Sequence, residues 1–461
     1  MIKPLLVFIT GTVLGSFAPT PPSGTPAGLQ QSRESPAVAV EREVKRMAAA
    51  HAETQSLWPG FDPLAIPLAV FDGERTYLFR HPDPPKGFTP VADAGPAARA
   101  LEGRHEAVTA NTNSEIGGVA TATLIIDPER TDRSPASLAA VAIHEAFHVH
   151  QRARHPGWIG NEADLFVYPT DSPELLASRR LETRALRRAL ADQDAAGAAC
   201  WARRALELRR QRYAGMDSAF AAYERGTELN EGLAAYVEMR AANLREVHWP
   251  PAEFGPTEVR LRAYATGPAL ALLLGRFKTG WEATFEADDR QTLDEALTTA
   301  LGPGTVCAFE DAAIAEAERK ARTDVNELAS RRQERLAAFE GKSGWRVVVE
   351  AGDGEPLWPQ GFDPLNVERV GAGRVLHTRY LRLGNGAGQI EVLNAESLTQ
   401  GAGEHPLFQG IRRVVLTGLE KPDVGGAEGA VSLSAPGLRL EFTGADVTRG
   451  DKTVTVRLGA P

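Results

Sequence analysis

His144 and His148 stand four residues apart with Glu145 between them, inside the run His-Glu-Ala-Phe-His. Residues four apart on an α-helix are neighbours on one face, so both imidazoles can offer a ring nitrogen to one ion. Glu145 flanks the pair without joining it. A water on the open position of a zinc ion held this way has its pKa lowered to about 7. A carboxylate beside that water can take its proton and later pass it to a leaving amine. The spacing therefore predicts a zinc site with its own general base, the arrangement of metal-assisted hydrolysis. The competing reading, a chance grouping on a helix surface, is disfavoured because the chain has only ten histidines.

The motif requires a helix. Ser134 and Pro135 supply an N-cap and a first helical residue, and Leu138, Val141, Ala142 and Phe147 keep a helical period. His150, two positions beyond His148, points to another side and is assigned to the surface or to a supporting role. Two histidines do not complete a zinc site. Between Ala221 and Asn243 the chain reads AAYERGTELNEGLAAYVEMRAAN, where Leu229, Leu233, Tyr236 and Val237 recur while Glu228, Glu231 and Glu238 share a polar face. Glu231 is the best third ligand, and Glu228, about one turn away, is its rival.

The stretch Asn230 to Glu238, NEGLAAYVE, resembles the NEG-x-x-x-Y-x-E segment of gluzincin metallopeptidases of the aminopeptidase N type. The resemblance implies that Glu231 is the third zinc ligand and that Glu238 orients a ligand histidine, a support metal sites generally require. Tyr264-Ala265-Thr266-Gly267 resembles the Y-x-x-G segment of the same family. There the tyrosine hydroxyl stabilises the tetrahedral oxyanion, a role the resemblance carries to Tyr264. The bland alternative for Tyr264 is a buried tyrosine at a helix start, with Tyr236 the next candidate donor. The resemblance covers residues 115–340 and departs from the family twice. Residues 149–230 place 82 positions between His148 and Glu231, where the family's connection is much shorter, and they include an Arg- and Ala-rich helical insertion over 173–212. No G-x-M-E-N segment precedes the motif helix, so no amine-binding glutamate is carried over.

What precedes it is a glycine-led, β-rich run, residues 117–126, expected to form an edge strand. Peptides add to exposed sheet edges, which makes Gly117, Gly118, Val119 and Ala120 candidate substrate-binding residues. An ordinary strand beneath the motif helix is the alternative.

At 461 residues with 43% hydrophobic content the chain is long enough for two or three domains with proper cores. Its net charge of -9 gives no general electrostatic reason to bind nucleic acid. Residues 1–18, with Lys3 followed by an apolar run from Leu5 to Phe17, have the pattern of a signal peptide, which predicts a secreted or periplasmic protein with no stable membrane span in the mature chain. Cys200 and Cys307 lack the spacing of a zinc motif and could pair in an exported protein, which sequence alone leaves open.

Punctuation divides the rest. Residues 19–40 read as a flexible linker, 41–342 as a mostly helical zinc metallopeptidase-like domain with an N-terminal sheet, and 343–461 as a sandwich-like all-β domain of short alternating runs. The fold class is therefore α+β. The run Leu57 to Leu64 (LWPGFDPL) recurs as Leu357 to Leu365 (LWPQGFDPL). We read both copies as buried aromatics with an Asp-Pro turn, the alternative being turns that line one ligand surface. These features predict an exported zinc-dependent metallopeptidase acting on a peptide or protein. A different class remains as the rival: an exported binding or scaffold protein with an inactive or structural zinc site. A structural zinc needs four ligands and no base, so Glu145 weighs against it.

Overall fold

The computed structural model describes residues 34–52, 56–91, 95–127, 133–288, 290–352, 354–363, 366–426 and 429–459. The expected signal peptide therefore lies outside the described residues. The architecture is α+β, in two compact units. The first comprises residues up to Gly160, Ser178–Phe254 and Glu258–Phe309; the second comprises Asn161–Ala177, Gly255–Thr257 and the chain from Glu310 on.

The first unit begins with helix α1 (Pro36–Ala52), where a linker was expected to run to residue 40. Ser35 Oγ accepts from the Ala37 amide at 3.2 Å, and Ala37, Val40 and Val44 are buried at helical spacing. The proline that suggested a break is instead the first residue of a capped helix.

Six strands follow: β1 (Leu68–Phe71), β2 (Arg75–Phe79), β3 (Thr89–Pro90), β4 (Arg99–Glu102), β5 (Thr112–Ile116) and β6 (Val119–Ile125). Their order in one sheet is β3-β4-β2-β1-β6-β5. The expected edge strand is thus an inner one. β6 pairs with β1 on one side and with β5 on the other, and β5 is the edge. Gly117 and Gly118, at φ of +55° and +77°, make the two-residue turn of the β5–β6 hairpin, with Ile116 opposite Val119 and Glu115 opposite Ala120. Paired glycines favour this turn because both central residues need positive φ. The polar run Thr112–Ile116 then folds back outside β6.

Helix α2 (Pro135–Arg154) carries the histidine motif and starts at the expected cap, Ser134 Oγ accepting from the Ser137 amide at 3.1 Å. Helix α3 (Glu162–Val167) belongs to the second unit. The Arg- and Ala-rich insertion forms two helices, α4 (Pro173–Ala191) and α5 (Ala195–Ala214), with Asp194 capping the second. Then come α6 (Ser218–Thr227), one π-helical turn (Glu228–Gly232), α7 (Leu233–Ala241), α8 (Val259–Phe277), α9 (Trp281–Ala287) and α10 (Leu293–Leu301). Cys200 on α5 is bonded to Cys307, with Cα atoms 5.1 Å apart, which settles the pairing that the sequence left open.

The second unit contains α11 (Asp311–Glu340) and strands β7 (Trp345–Glu350), β8 (Trp358–Phe362), β9 (Val367–Gly371), β10 (Arg374–His377), β11 (Tyr380–Asn385), β12 (Gly388–Leu393), β13 (Ser397–Gly401), β14 (Ile411–Leu419), β15 (Asp423–Gly425), β16 (Ala430–Ala435), β17 (Leu438–Thr443), β18 (Ala445–Gly450) and β19 (Thr453–Leu458). They form a seven-stranded sheet, β18-β19-β7-β14-β13-β10-β9, and a six-stranded sheet, β15-β16-β17-β12-β11-β8. One buried core joins Val347, Val349, Val414 and Leu416 of the first to Leu383, Ile390, Val392 and Leu440 of the second, as in a sandwich. Phe339 of α11 packs with Val348, Leu398 and Val415 on the other face of the seven-stranded sheet. The boundary expected at 342 therefore moves to 310, because the last helix is a layer of the β unit.

The repeated segment takes two different forms. Trp58 is fully buried, edge-on to Phe147, Trp158 and Trp281, and donates to Glu286 at 2.7 Å. Trp358, by contrast, sits on strand β8 and is 40% exposed, which corrects the buried reading of the second copy. Pro364 and Leu365 lie outside the described residues.

Candidate metal centre

The motif helix is buried over most of its length, from Leu138 to Gln151, and this burial makes its polar side chains informative. Buried polar groups are almost always hydrogen-bonded, so each unpaired one asks for an explanation. His144 and His148 point their Nε2 atoms at each other, 3.1 Å apart. Glu231 Oε2 lies 3.6 Å from the first and 3.4 Å from the second. The three residues can hold one ion, their ligand atoms lying within 4.8 Å of one another, and among the described residues no other such group of His, Cys, Asp or Glu occurs.

The outer ring nitrogens are held. His144 Nδ1 donates to Glu238 Oε2 at 2.9 Å, as the resemblance implied. His148 Nδ1 donates to Gln151 Oε1 at 2.8 Å. The Gln151 amide is itself oriented, since its Nε2 donates to the carbonyls of Leu229 at 2.8 Å and Asn230 at 3.1 Å. The Nδ1 partners thereby leave both Nε2 atoms facing inward.

Glu231 is anchored by its other oxygen. Oε1 accepts from Arg260 at 2.6 Å and from Asn230 Nδ2 at 3.2 Å, while Oε2 is buried without a hydrogen-bond partner. Glu145, 5% exposed, likewise buries Oε2 unpartnered. Two inward-facing imidazole nitrogens and an orphaned carboxylate oxygen form a group that could hold a metal ion. The residues fit the ion.

Burial opposes charge on His144, but the neighbouring carboxylates of Glu231 and Glu238 outweigh it and hold the imidazole well above its ordinary range. Burial would also raise Glu231, yet the charges of His148 and Arg260 hold it well below the usual carboxylate range. Glu145 is pushed up, chiefly by burial, against the pull of the two histidines. Tyr264 stacks on His144, ring centroids 6.0 Å apart and planes within 6°. Burial and the Glu231 charge push its hydroxyl well above the ordinary tyrosine range, so it remains a protonated donor. Its rival Tyr236 faces elsewhere: the hydroxyl donates to Glu282 at 3.2 Å.

Glu228 is excluded as a ligand by its own partners. Arg209 donates to both its oxygens, at 2.7 and 2.6 Å, and Thr266 Oγ1 donates to Oε1 at 2.6 Å. Arg209, Arg212 and Arg262 are buried here with Glu182, Glu224 and Glu228, three charges of each sign. This network anchors the start of the π turn that carries Glu231.

Gly117 to Ala120 form the hairpin turn and the start of an inner strand, so the exposed backbone edge is Thr112–Ile116 instead. His150 is buried, not on the surface. It packs on Phe61 and Phe147, 3.6 Å from Glu286. Sequence reasoning missed Gln151 and Arg260, although a signal existed for each. Gln151 is three residues after His148 and Arg260 four before Tyr264, on shared helix faces. Compared with models of protein families, with curated proteins and with solved structures, the chain matches none.

Proposed function

We propose that this protein is an exported zinc-dependent metallopeptidase that hydrolyses peptide bonds. One observation carries the reading: His144, His148 and Glu231 form a three-ligand group beside a second carboxylate, Glu145, whose buried oxygen has no partner. Three ligands and a base compose a catalytic zinc site, whereas a structural one closes with four ligands. When bound, zinc lowers the pKa of a water and polarises a carbonyl.

The chain's own groups supply the rest. Glu145 takes the proton of the attacking water on a carboxylate oxygen and returns it to the leaving amine. Its burial pushes its pKa upward, the direction that favours holding the proton between the two transfers. Tyr264 donates its O–H to the oxyanion of the tetrahedral intermediate. Glu238 and Gln151 keep the two imidazoles in register. An extended peptide would add to the β5 edge, Thr112–Ile116, through main-chain hydrogen bonds. The Cys200–Cys307 bridge supports export, because such bonds persist in oxidising compartments.

The deciding experiment loads the purified protein with zinc and offers it a broad peptide library. Wild type should bind close to one zinc per chain and cleave peptides, His148→Ala should lose most of the metal, and Glu145→Gln should keep the metal and lose cleavage. Stoichiometric zinc without any cleavage would favour the scaffold reading. Equal zinc in wild type and His148→Ala would overturn the ligand assignment itself.

A further inference from the structure

Arg260 is the one guanidinium seen on a ligand of the candidate metal centre among the described residues, and no motif called for it. It sits in the first turn of α8, one turn before Tyr264, with its side chain 22% exposed against 1% for Glu231. Its Nη2 donates to Glu231 Oε1 at 2.6 Å. Asn230 donates to the same oxygen at 3.2 Å, so that oxygen is doubly engaged while Oε2, the one facing both histidines, is engaged by no donor.

A carboxylate can ligate a cation through one oxygen or through both. A guanidinium on one oxygen makes a short, charge-assisted hydrogen bond that competes with the metal for that lone pair. Three carboxylates, Glu145, Glu231 and Glu238, crowd this centre, and an opposite charge on the ligand also keeps it ionised. A zinc ion held by two imidazoles and one oxygen keeps its fourth position for water, whereas ligation by both oxygens adds a fifth bond that crowds that position.

We propose that Arg260 is a positioning residue of the metal centre: by occupying Glu231 Oε1 it restricts the carboxylate to ligation through Oε2 and keeps the fourth position open. The inference rests on the zinc reading above and goes beyond it, since a zinc site needs no arginine. Arg260 acts through Glu231.

The test uses the full chain, stripped of metal, titrated with zinc against a competing chelator and separately loaded with cobalt(II), whose visible absorption is intense when four-coordinate and weaker when five-coordinate. Arg260→Met keeps the apolar stem and removes charge and donors; it should lower zinc affinity about 10–100-fold, the usual effect of losing a partner of a ligand. It should also weaken the cobalt band as Glu231 swings to two-oxygen ligation. Arg260→Lys, which keeps the charge and one donor, should recover most of both, and it decides the matter if the Met variant does not fold. An unchanged cobalt band in Arg260→Met, or an Arg260→Lys protein no better than Met, would overturn the proposal whatever the affinity. A wild type that takes up neither metal would overturn the zinc reading and this inference together, which separates that failure from the first.

Discussion

Gly232 and Gly267 meet backbone to backbone. A Cβ built on Gly267 would lie 2.3 Å from Gly232 Cα, and one on Gly232 would lie 2.7 Å from Gly267 Cα. Glu231 immediately precedes the first glycine, and Tyr264 lies three residues before the second on α8. The contact therefore sets how closely the candidate third ligand approaches the candidate oxyanion donor and Arg260. It also gives a physical reason for glycine in both segments, NEG and Y-x-x-G, that carry the resemblance. Neither glycine has positive φ, so what the chain needs from them is space.

Gly267→Ala should accordingly part the π turn from α8. The obstructing atoms are backbone and cannot rotate away, and overpacking of this kind costs about 1–3 kcal/mol or more. Denaturant unfolding should show that loss, and zinc titration should show weaker binding than in an equally destabilised control with its substitution far from the site. A Gly267→Ala protein with wild-type stability would mean that the two elements can separate freely.

Glu231 and Glu228, three positions apart, should fail in different ways. Glu231→Ala removes a candidate ligand and should abolish most zinc binding. Glu228→Ala leaves Arg209 buried without its two-oxygen partner, and breaking a buried pair in this way costs about 3–5 kcal/mol. Its signature should be a large fall in stability, with zinc affinity close to normal in whatever remains folded. Glu238→Ala and Gln151→Ala should each lower zinc affinity about 10–100-fold. Zinc titration beside thermal melting separates the classes, and a reversed ranking of Glu228 and Glu231 would shift the ligand by one turn.

The α+β class, the motif helix with its Ser-Pro start and the candidate group of His144, His148 and Glu231 could be read from the sequence, the histidines from their spacing along one helix and Glu231 from the resemblance of its NEG segment. What could not be read depends on pairing between distant segments. The edge position passed from β6 to β5 because a Gly-Gly turn folded a polar run outside an apolar one, and strand order is not written in either run. The linker reading failed at Pro36 because Ser35 caps the helix that follows. Arg209 and Arg212 belong to a segment read only as an Arg- and Ala-rich helical insertion. Only the fold shows that their counter-charges, Glu224 and Glu228, arrive from another helix and bury them. The role of α11 was hidden for the same reason, since Phe339 meets its sheet only across the chain.

That network makes a prediction about acid. Burial would raise Glu224, but the charges of Arg212 and Arg262 hold it down to about 2, from an ordinary 4.5. Glu182 is held lower still by Arg209, Arg262 and Arg212 against the same burial. A carboxylate depressed in the folded state contributes stability that is fully present above its unfolded pKa and is lost as pH falls through the folded value. Unfolding free energy, measured by denaturant at fixed ionic strength, should therefore fall between pH 4.5 and about 2 as these glutamates are forced to bind protons on unfolding. A curve that stayed flat across that window would mean that the network is not ionised as described.

Tyr264 offers the sharpest test of chemistry as opposed to architecture. Its ring lies parallel to that of His144, and its hydroxyl interacts with Glu231 and Arg260 at the rim of the candidate site. A donor that meets charge only in the transition state lowers turnover when lost and leaves ground-state binding alone. Tyr264→Phe should therefore reduce kcat by about 10²–10³ with little change in KM, while zinc content and melting temperature stay near wild type. Tyr236→Phe is the matched control. Its hydroxyl, pushed up to about 12 by burial, donates to Glu282 on α9, so its loss should leave kcat nearly unchanged. Normal turnover in Tyr264→Phe would reduce this residue to packing against His144, and the oxyanion would then need another donor.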